Sequence, residues 1–179
     1  MINAEYIKKT FPKLELIKNP ALKQGVVDAW LLGVKRGNWE KIDDIPFTLL
    51  IPAKTSLIEH TNKVTELAVN IANTVLKDNP AIKIDMDILI AGGLTHDVGK
   101  LIEYERKDGK IVKSFLGNKA RHPAIGYALA LEVKLPNEVA HIILAHSHEG
   151  DTLERSREAI IINHSDFIDF DLAKTCKPN

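Results

Sequence analysis

The spacing of the apolar residues is the feature that most limits what this chain can fold into. Aliphatic side chains recur every three or four positions, and the alternating segments typical of strands are scarce. At 179 residues the chain is long enough to bury one continuous core without disulfide or metal staples. The pattern therefore predicts an all-α protein, with residues 1–50 as a helical extension packed on a core formed by residues 51–179.

Capping residues predict where the helices begin and end. Asn19 followed by Pro20 is typical of a helix start, and Gly37 is expected to end that helix. Residues 38–54 are predicted to form a connector. Later helices are expected to start at Thr55 or Ser56, at Asp85, at Pro123, at Pro136 or Asn137, and at about Asp151. The helix from Asp85 is expected to run to Gly99, and the last helix is expected to end near Phe170. Lys77 to Pro80 separates the second helix from the third. Residues 104–115 are predicted to be a small hairpin or a mobile loop.

Several polar side chains fall on faces that should be buried. His60, His146 and Asp166 each share the apolar stripe of a predicted helix. Taken alone, each histidine is explained by a bond to a core carbonyl, and Asp166 by an ion pair with Arg155 or Arg157. Several such residues from separate helices can instead be satisfied together by one or two divalent cations. We favour this metal-binding interpretation.

Further candidates lie at predicted helix ends. His96 and Asp97 are adjacent in the segment GGLTHDVGK of residues 92–100, and His122 directly precedes Pro123. Adjacent residues do not share a face within a helix, but at a helix end they can reach neighbouring coordination positions. The residue before a first-turn proline is also placed to reach neighbouring elements. These side chains are therefore expected to line a shared cleft.

The order of these residues resembles the HD-domain metal-dependent phosphohydrolase superfamily, whose fold is a helical bundle. HDVGK, HPAIGYALA and HIILAHSHE follow one another and are similar to the HD-x-G-K, H-P-x-x-G and HHE blocks of its HDIG-type subgroup. The resemblance covers roughly residues 55–170, so the HD domain would be residues 51–179. It implies a first ion bound by His60, His96, Asp97 and Asp166, and a second ion bound by Asp97, His122 and His146.

Two departures from the family pattern affect the prediction. HSHE replaces adjacent histidines before glutamate, so either His146 or His148 supplies the ligand, and the helix-face argument favours His146. No GYP follows HSHEGD, so specific hydrolysis of cyclic di-GMP is not implied. Gly92 and Gly93 are expected to let helices approach closely around the cations. Gly99 is expected to let the chain turn away so that Lys100 faces the cleft.

The resemblance implies hydrolysis of a phosphomonoester or phosphodiester, of a nucleotide or another small phosphorylated molecule. A divalent ion lowers the pKa of bound water from about 15.7 towards about 7, and Asp97 is expected to orient the resulting hydroxide. Lys100 and Arg121 are expected to offset phosphoryl charge, and His148 to line the substrate cleft, although Arg121 could instead be a solvated surface charge. Two alternatives share the fold: a di-iron oxygenase of a small alcohol or phosphonate, and a noncatalytic nucleotide-binding sensor.

Composition limits the partners. Histidine and aspartate ligands without thiolate suit iron, manganese, zinc or magnesium, and the ligand type does not select among them. We expect one or two divalent ions, iron or manganese first, with zinc, magnesium or nickel as alternatives. The 24 basic and 24 acidic residues balance, which argues against a nucleic-acid polymer as partner. No segment approaches the length of a membrane span, no basic and apolar leader opens the chain, and Cys176 has no disulfide partner. We therefore expect a cytoplasmic protein that binds no membrane, and a homodimer stays open.

Overall fold

The computed structural model describes residues 1–52, 54–79 and 81–176, and within them it shows a helical bundle with a two-stranded hairpin. The α-helices are α1 (Ala4–Thr10), α2 (Pro20–Arg36), α3 (Leu57–Asp78), α4 (Met86–Thr95), α5 (Lys100–Glu103), α6 (His122–Glu132), α7 (Asn137–Ala145) and α8 (Arg157–Thr175). Strand β1 (Tyr104–Lys107) pairs antiparallel with β2 (Lys110–Lys113). Short 3-10 turns occupy Pro12–Leu16, Leu116–Asn118 and His148–Gly150. The all-α prediction is confirmed.

Three helices start at predicted caps. The side chain of Asn19 accepts two backbone N–H groups at the start of α2, and Asp85 does the same for α4. Ser56, rather than Thr55, caps α3 through a reciprocal capping box with Glu59. These caps satisfy backbone donors that a helix leaves free at its first turn, so they fix where each helix begins.

The last helix starts later than predicted, at Arg157 instead of about Asp151, and it ends at Thr175 instead of Phe170. Arg155 explains the late start. Its Nε donates to the carbonyl of Ala145 at 2.7 Å and its Nη2 contacts Asp151 Oδ1 at 2.7 Å. These bonds hold the segment before α8 in a non-helical path, which leaves Ser156 as the cap.

The HDVGK segment also differs from the prediction, whereas the hairpin that follows it is one of the two predicted alternatives. Helix α4 ends at Thr95, and the chain turns through residues 96–99 before α5 begins. Residues 104–113 form the hairpin rather than a loop, and Asp108 and Gly109 at its tip have φ values of 51° and 75°. From the predicted connector, Ala53 lies outside the described residues, as do Pro80 and residues 177–179.

The N-terminal helices share their core with the later ones. Trp30 of α2 packs on Phe11 with ring centroids 4.6 Å apart, and its indole N–H donates to the carbonyl of Leu94 at 2.8 Å. The indole N–H of Trp39 donates to the carbonyl of Leu101 at 2.6 Å. One apolar cluster therefore runs from α1 to α7. The division at residue 50 stays a prediction.

Close helix approach depends on glycine. A Cβ on Gly92 would lie 2.6 Å from the side chain of Ile142, which agrees with the close approach expected there. Gly99 has a different role from the predicted one, because its φ of −62° is open to any residue. A Cβ on Gly99 would lie 2.1 Å from the backbone oxygen of His122 and 2.6 Å from the backbone nitrogen of Gly126. Gly99 thus lets α6 pack against the turn before α5.

No helix among the described residues is both long and apolar enough to cross a lipid bilayer.

Gly99→Ala should destabilise the fold by about 1–3 kcal/mol or more, because the added methyl group meets backbone atoms that no rotamer change can move. Urea unfolding followed by circular dichroism measures the change. The control is Gly109→Asn, since space around Gly109 is open and asparagine tolerates a positive φ. Equal midpoints for Gly99→Ala and the wild type would show that the close approach is unnecessary.

Candidate metal centre

Four histidines and two aspartates from five parts of the bundle meet at one point. They are His60 on α3, His96 and Asp97 in the turn after α4, His122 at the start of α6, His146 at the end of α7, and Asp166 on α8. The histidines and Asp97 are buried, and the side chain of Asp166 is 17% exposed. Sequence periodicity alone had predicted that three of these residues point inward.

Asp97 lies at the centre of this cluster and contacts two pairs of rings. Its Oδ2 lies 3.4 Å from Nε2 of His60 and 3.5 Å from Nε2 of His96. Its Oδ1 lies 3.2 Å from Nε2 of His122 and 3.6 Å from Nε2 of His146. Asp166 joins the first pair, with Oδ1 2.9 Å from Nε2 of His60. The carboxylate of Asp97 therefore divides the cluster into two halves, and each half could hold a metal ion.

The other nitrogen of each ring is bonded to an acceptor outside the cluster. Carbonyl and carboxylate oxygens only accept, so Nδ1 carries the hydrogen and Nε2 of a neutral ring presents a lone pair inward. The four contacts are His60 Nδ1 to Asp169 Oδ2 at 2.7 Å, His96 Nδ1 to the Gly93 carbonyl at 2.7 Å, His122 Nδ1 to Glu103 Oε2 at 2.8 Å, and His146 Nδ1 to the Ile143 carbonyl at 2.7 Å.

This arrangement makes acceptors face each other. Nε2 of His60 lies 3.4 Å from Nε2 of His96, and Nε2 of His122 lies 3.3 Å from Nε2 of His146. Two neutral rings with hydrogens on Nδ1 have no proton to share across such a contact. A divalent cation beside each pair would satisfy both lone pairs, and neutral imidazole with carboxylate is a suitable ligand set.

The charges of the cluster favour the required ionisation states of Asp97, His96 and His122. Burial alone would lower the pKa of His60, but its hydrogen bonds with Asp166 and Asp169 raise that pKa above its usual value. Burial alone would raise the pKa of Asp97, but the ammonium of Lys100, 2.6 Å from Oδ2, and then the ring of His96 hold the pKa of that carboxyl well below its usual value. Burial lowers the pKa of His96 to about 4. Burial, followed by the charge of Lys100, also lowers the pKa of His122. Asp97 is therefore ionised, and these two rings are neutral, near pH 7.

A cavity of about 220 Å³ opens beside the cluster. Its polar lining includes Lys100, Glu103, Lys113, Arg121, His122, Ser147, His148, Glu149 and Asp166. Its apolar and aromatic lining comprises Phe47, Leu49, Leu50, Tyr104, Phe167 and Phe170. Because the polar lining includes His122 and Asp166 of the cluster, a molecule in this cavity would contact both the cluster and the apolar lining.

The three predicted substrate-binding residues all line this cavity, but each already has a partner. Lys100 Nζ bonds Asp97 and the carbonyl of Phe47. Arg121 Nε lies 3.2 Å from a carboxylate oxygen of Glu103, so it is more than a solvated charge. His148 is exposed, and its Nδ1 lies 3.1 Å from Asp151 Oδ2, because α7 ends at Ala145 and the chain leaves the helix before residue 148. The structure thus brings His146, rather than His148, into the cluster.

Sequence reasoning missed Asp169 and Glu103, which hold the outer nitrogens of His60 and His122. Asp169 follows Asp166 by three positions, so the helical period placed it on the same face. Glu103 follows Lys100 by three positions but lies where α5 passes into the hairpin, and only the packing of α6 brings it to His122. The helical spacing of the sequence could therefore have predicted the position of Asp169, but no local sequence pattern predicts that of Glu103.

Comparison with known proteins agrees with the fold and the site. A helical bundle with a buried histidine and aspartate cluster defines a candidate metalloprotein. The family model of the HD domain matches residues 57–171, and this chain belongs to that family. HD domains bind divalent metals, and the cluster provides the groups to do so.

One curated relative is the dihydroneopterin 2',3'-cyclic phosphate phosphodiesterase of Methanocaldococcus jannaschii. The two sequences are 30% identical over 162 residues, which cover 87% of this chain and 60% of that protein. This chain therefore spans about 60% of the length of the curated relative it matches. Comparison with solved structures gives no significant match.

Asp169→Asn and Glu103→Gln should each weaken metal binding roughly 10–100-fold, because they replace the charged carboxylate that orients a ring and raises its basicity with a neutral amide, without removing a ligand. Asp169→Asn should affect the half with His60, and Glu103→Gln the half with His122. Calorimetric titration of Mn²⁺ into protein pretreated with chelator measures both affinities. Asp171→Asn, on the exposed side of the same helix, is the control. Affinities equal to the control would contradict the positioning roles.

Proposed function

We propose that the protein is a metal-dependent phosphohydrolase that cleaves a small phosphodiester. The observation that carries this proposal is the pair of facing Nε2 contacts on either side of Asp97. Membership of the HD domain family supports it, as does similarity to a relative whose name states phosphodiesterase activity. The proposed ligands are His60, His96, Asp97 and Asp166 for one ion, and Asp97, His122 and His146 for the other.

The donor set fits divalent metal ions. Neutral imidazole nitrogen and carboxylate oxygen, with no thiolate, suit iron, manganese, zinc or magnesium without selecting among them, and we propose iron or manganese, with nickel as a further alternative. Bound ions would supply Lewis-acid polarisation of the phosphoryl oxygens and acidify water at neutral pH. Asp97 would serve both halves, because its two oxygens face different ring pairs.

Lys100 is placed to act on the substrate as well as on Asp97. Its ammonium has three hydrogens, and two bond Asp97 Oδ2 and the Phe47 carbonyl. The third hydrogen is available to a nonbridging phosphoryl oxygen in the cavity that Lys100 lines. The two protein bonds fix the ammonium beforehand, so it need not reorganise when charge develops on phosphorus.

The balance of charge in the cavity favours a diester over a polyphosphate. Arg121 Nε lies 3.2 Å from Glu103 and 3.5 Å from Glu149, and Lys113 Nζ lies 3.6 Å from Glu103. The cavity cations are thus largely compensated before any substrate binds. Bound metal ions would offset the charge of one phosphoryl group, which is enough for a diester, whereas a triphosphate would need further uncompensated side-chain cations for its remaining phosphates. A cyclic phosphate, as in the name of the relative, belongs to the favoured class.

Asp97→Ala should remove metal and activity together. The loss of activity should exceed the roughly 10–100-fold expected when a residue that only orients a ligand is changed. Turnover of bis(p-nitrophenyl) phosphate with Mn²⁺, and elemental analysis of the purified protein, provide the two measurements. Asp171→Ala is the matched control. Metal-dependent turnover retained in Asp97→Ala would refute the assignment. For the wild type, metal binding without turnover would favour the noncatalytic nucleotide-binding sensor, and oxygen consumption with an alcohol or phosphonate would favour the di-iron oxygenase.

The wild type should hydrolyse bis(p-nitrophenyl) phosphate at least about tenfold better than ATP in kcat/KM, a difference of about 1.4 kcal/mol. Glu149→Gln should free Arg121 from one carboxylate and raise the relative kcat/KM for the dianionic p-nitrophenyl phosphate. Steady-state kinetics at fixed Mn²⁺ and pH tests both expectations. A wild type that prefers ATP would contradict the charge argument.

A further inference from the structure

We propose that the outer part of the cavity is a binding site for a planar apolar ring carried by the substrate. Leu49 and Leu50 of the connector and Phe167 and Phe170 of α8 line the cavity and supply the apolar side chains of this ring site. The inference rests on the proposed function, because the ring would be a substituent of the phosphodiester that is cleaved.

The apolar lining begins at the metal centre and continues outward. The ring of Phe47 stacks on His60, with centroids 4.5 Å apart and an interplanar angle of 29°. Phe47 also meets the edge of Phe170 at 6.0 Å. An apolar surface therefore leads from a proposed ligand to the ring site. A substrate with its phosphoryl group at the centre would lay its substituent along this surface.

The exposure of Leu49 and Leu50 within the cavity supports the binding of a ligand at the ring site. Leu50 is 65% exposed and Leu49 is 37% exposed, although both are large apolar side chains. Exposed apolar residues are common on protein surfaces, as Phe115 at 80% shows here. The leucines differ from Phe115 because they line the same cavity as Lys100 and His122. Apolar walls around a few convergent polar groups are typical of small-molecule sites.

The shape and size of the ring site favour one planar group. The ring of Phe167 meets His148 edge-on, with centroids 4.6 Å apart and an interplanar angle of 72°, and Lys174 Nζ lies 4.4 Å from the centroid of Phe170. These contacts limit how the two phenylalanines can turn, and aromatic rings pair well with other rings. The cavity of about 220 Å³ is smaller than sites for drug-sized ligands, which span roughly 300–1,000 Å³. One phosphoryl group and one ring fit better than a dinucleotide.

Two diesters with the same leaving group and the same charge test the ring site. Phenyl p-nitrophenyl phosphate carries the ring, and methyl p-nitrophenyl phosphate lacks it. Leu50→Ser and Phe170→Leu should each lower kcat/KM for the phenyl diester severalfold, and the double variant about tenfold, mainly through KM. The methyl diester should change less than about twofold. The ratio of variant to wild type cancels the intrinsic reactivity of each diester.

Phe115→Ser is the matched control, because this exposed side chain lies outside the cavity lining and should leave both diesters unaffected. Thermal unfolding of each variant checks the fold, and the high exposure of Leu50 keeps that variant informative if Phe170→Leu unfolds. An unchanged phenyl-to-methyl ratio in Leu50→Ser and Phe170→Leu overturns the ring site and leaves the phosphohydrolase intact. No turnover of either diester by metal-loaded wild type overturns the proposed function, and the ring site with it.

Discussion

The burial of the Asp97 carboxylate is the constraint on which the rest of the structure depends. Taking a carboxylate out of water costs several kcal/mol unless cations and hydrogen bonds compensate it. The ammonium of Lys100 provides part of the compensation, and four imidazole rings surround the two oxygens. Neutral rings present lone pairs to these oxygens, so metal ions beside them would complete the compensation, and holding those ions would fix the relative positions of α3, the turn after α4, α6 and α7.

The apolar core holds the turn that carries this charge. Helix α4 before the turn and α5 after it are both tied to the N-terminal part of the chain, because Trp30 bonds the carbonyl of Leu94 and Trp39 bonds the carbonyl of Leu101. Gly99 lets α6 approach from the other side. Burying an indole N–H without a partner would be costly, so these two bonds also specify where α4 and α5 must lie. The N-terminal helices therefore support the site without contributing a ligand.

The sequence predicted those parts of the protein that local periodicity and capping determine. The inward faces of His60, His146 and Asp166 follow from helical spacing, and the order of the HDVGK blocks indicated the family. The start of α8 was missed because Arg155 bonds a distant carbonyl, which no local signal records. Glu103 was missed for the same reason, since only tertiary packing brings it to His122.

Part of the proposed ring site lies outside the family match, which is one reason why family membership leaves the substrate open. The HD domain match covers residues 57–171 and includes every proposed ligand. Phe47, Leu49 and Leu50 precede that match, yet they line the cavity. The bond from Lys100 to the carbonyl of Phe47 joins the two parts, because one ammonium contacts both the central carboxylate and the connector. If the ring site binds the substituent, changes in the connector would alter which substituent fits while the ligand cluster stays in place.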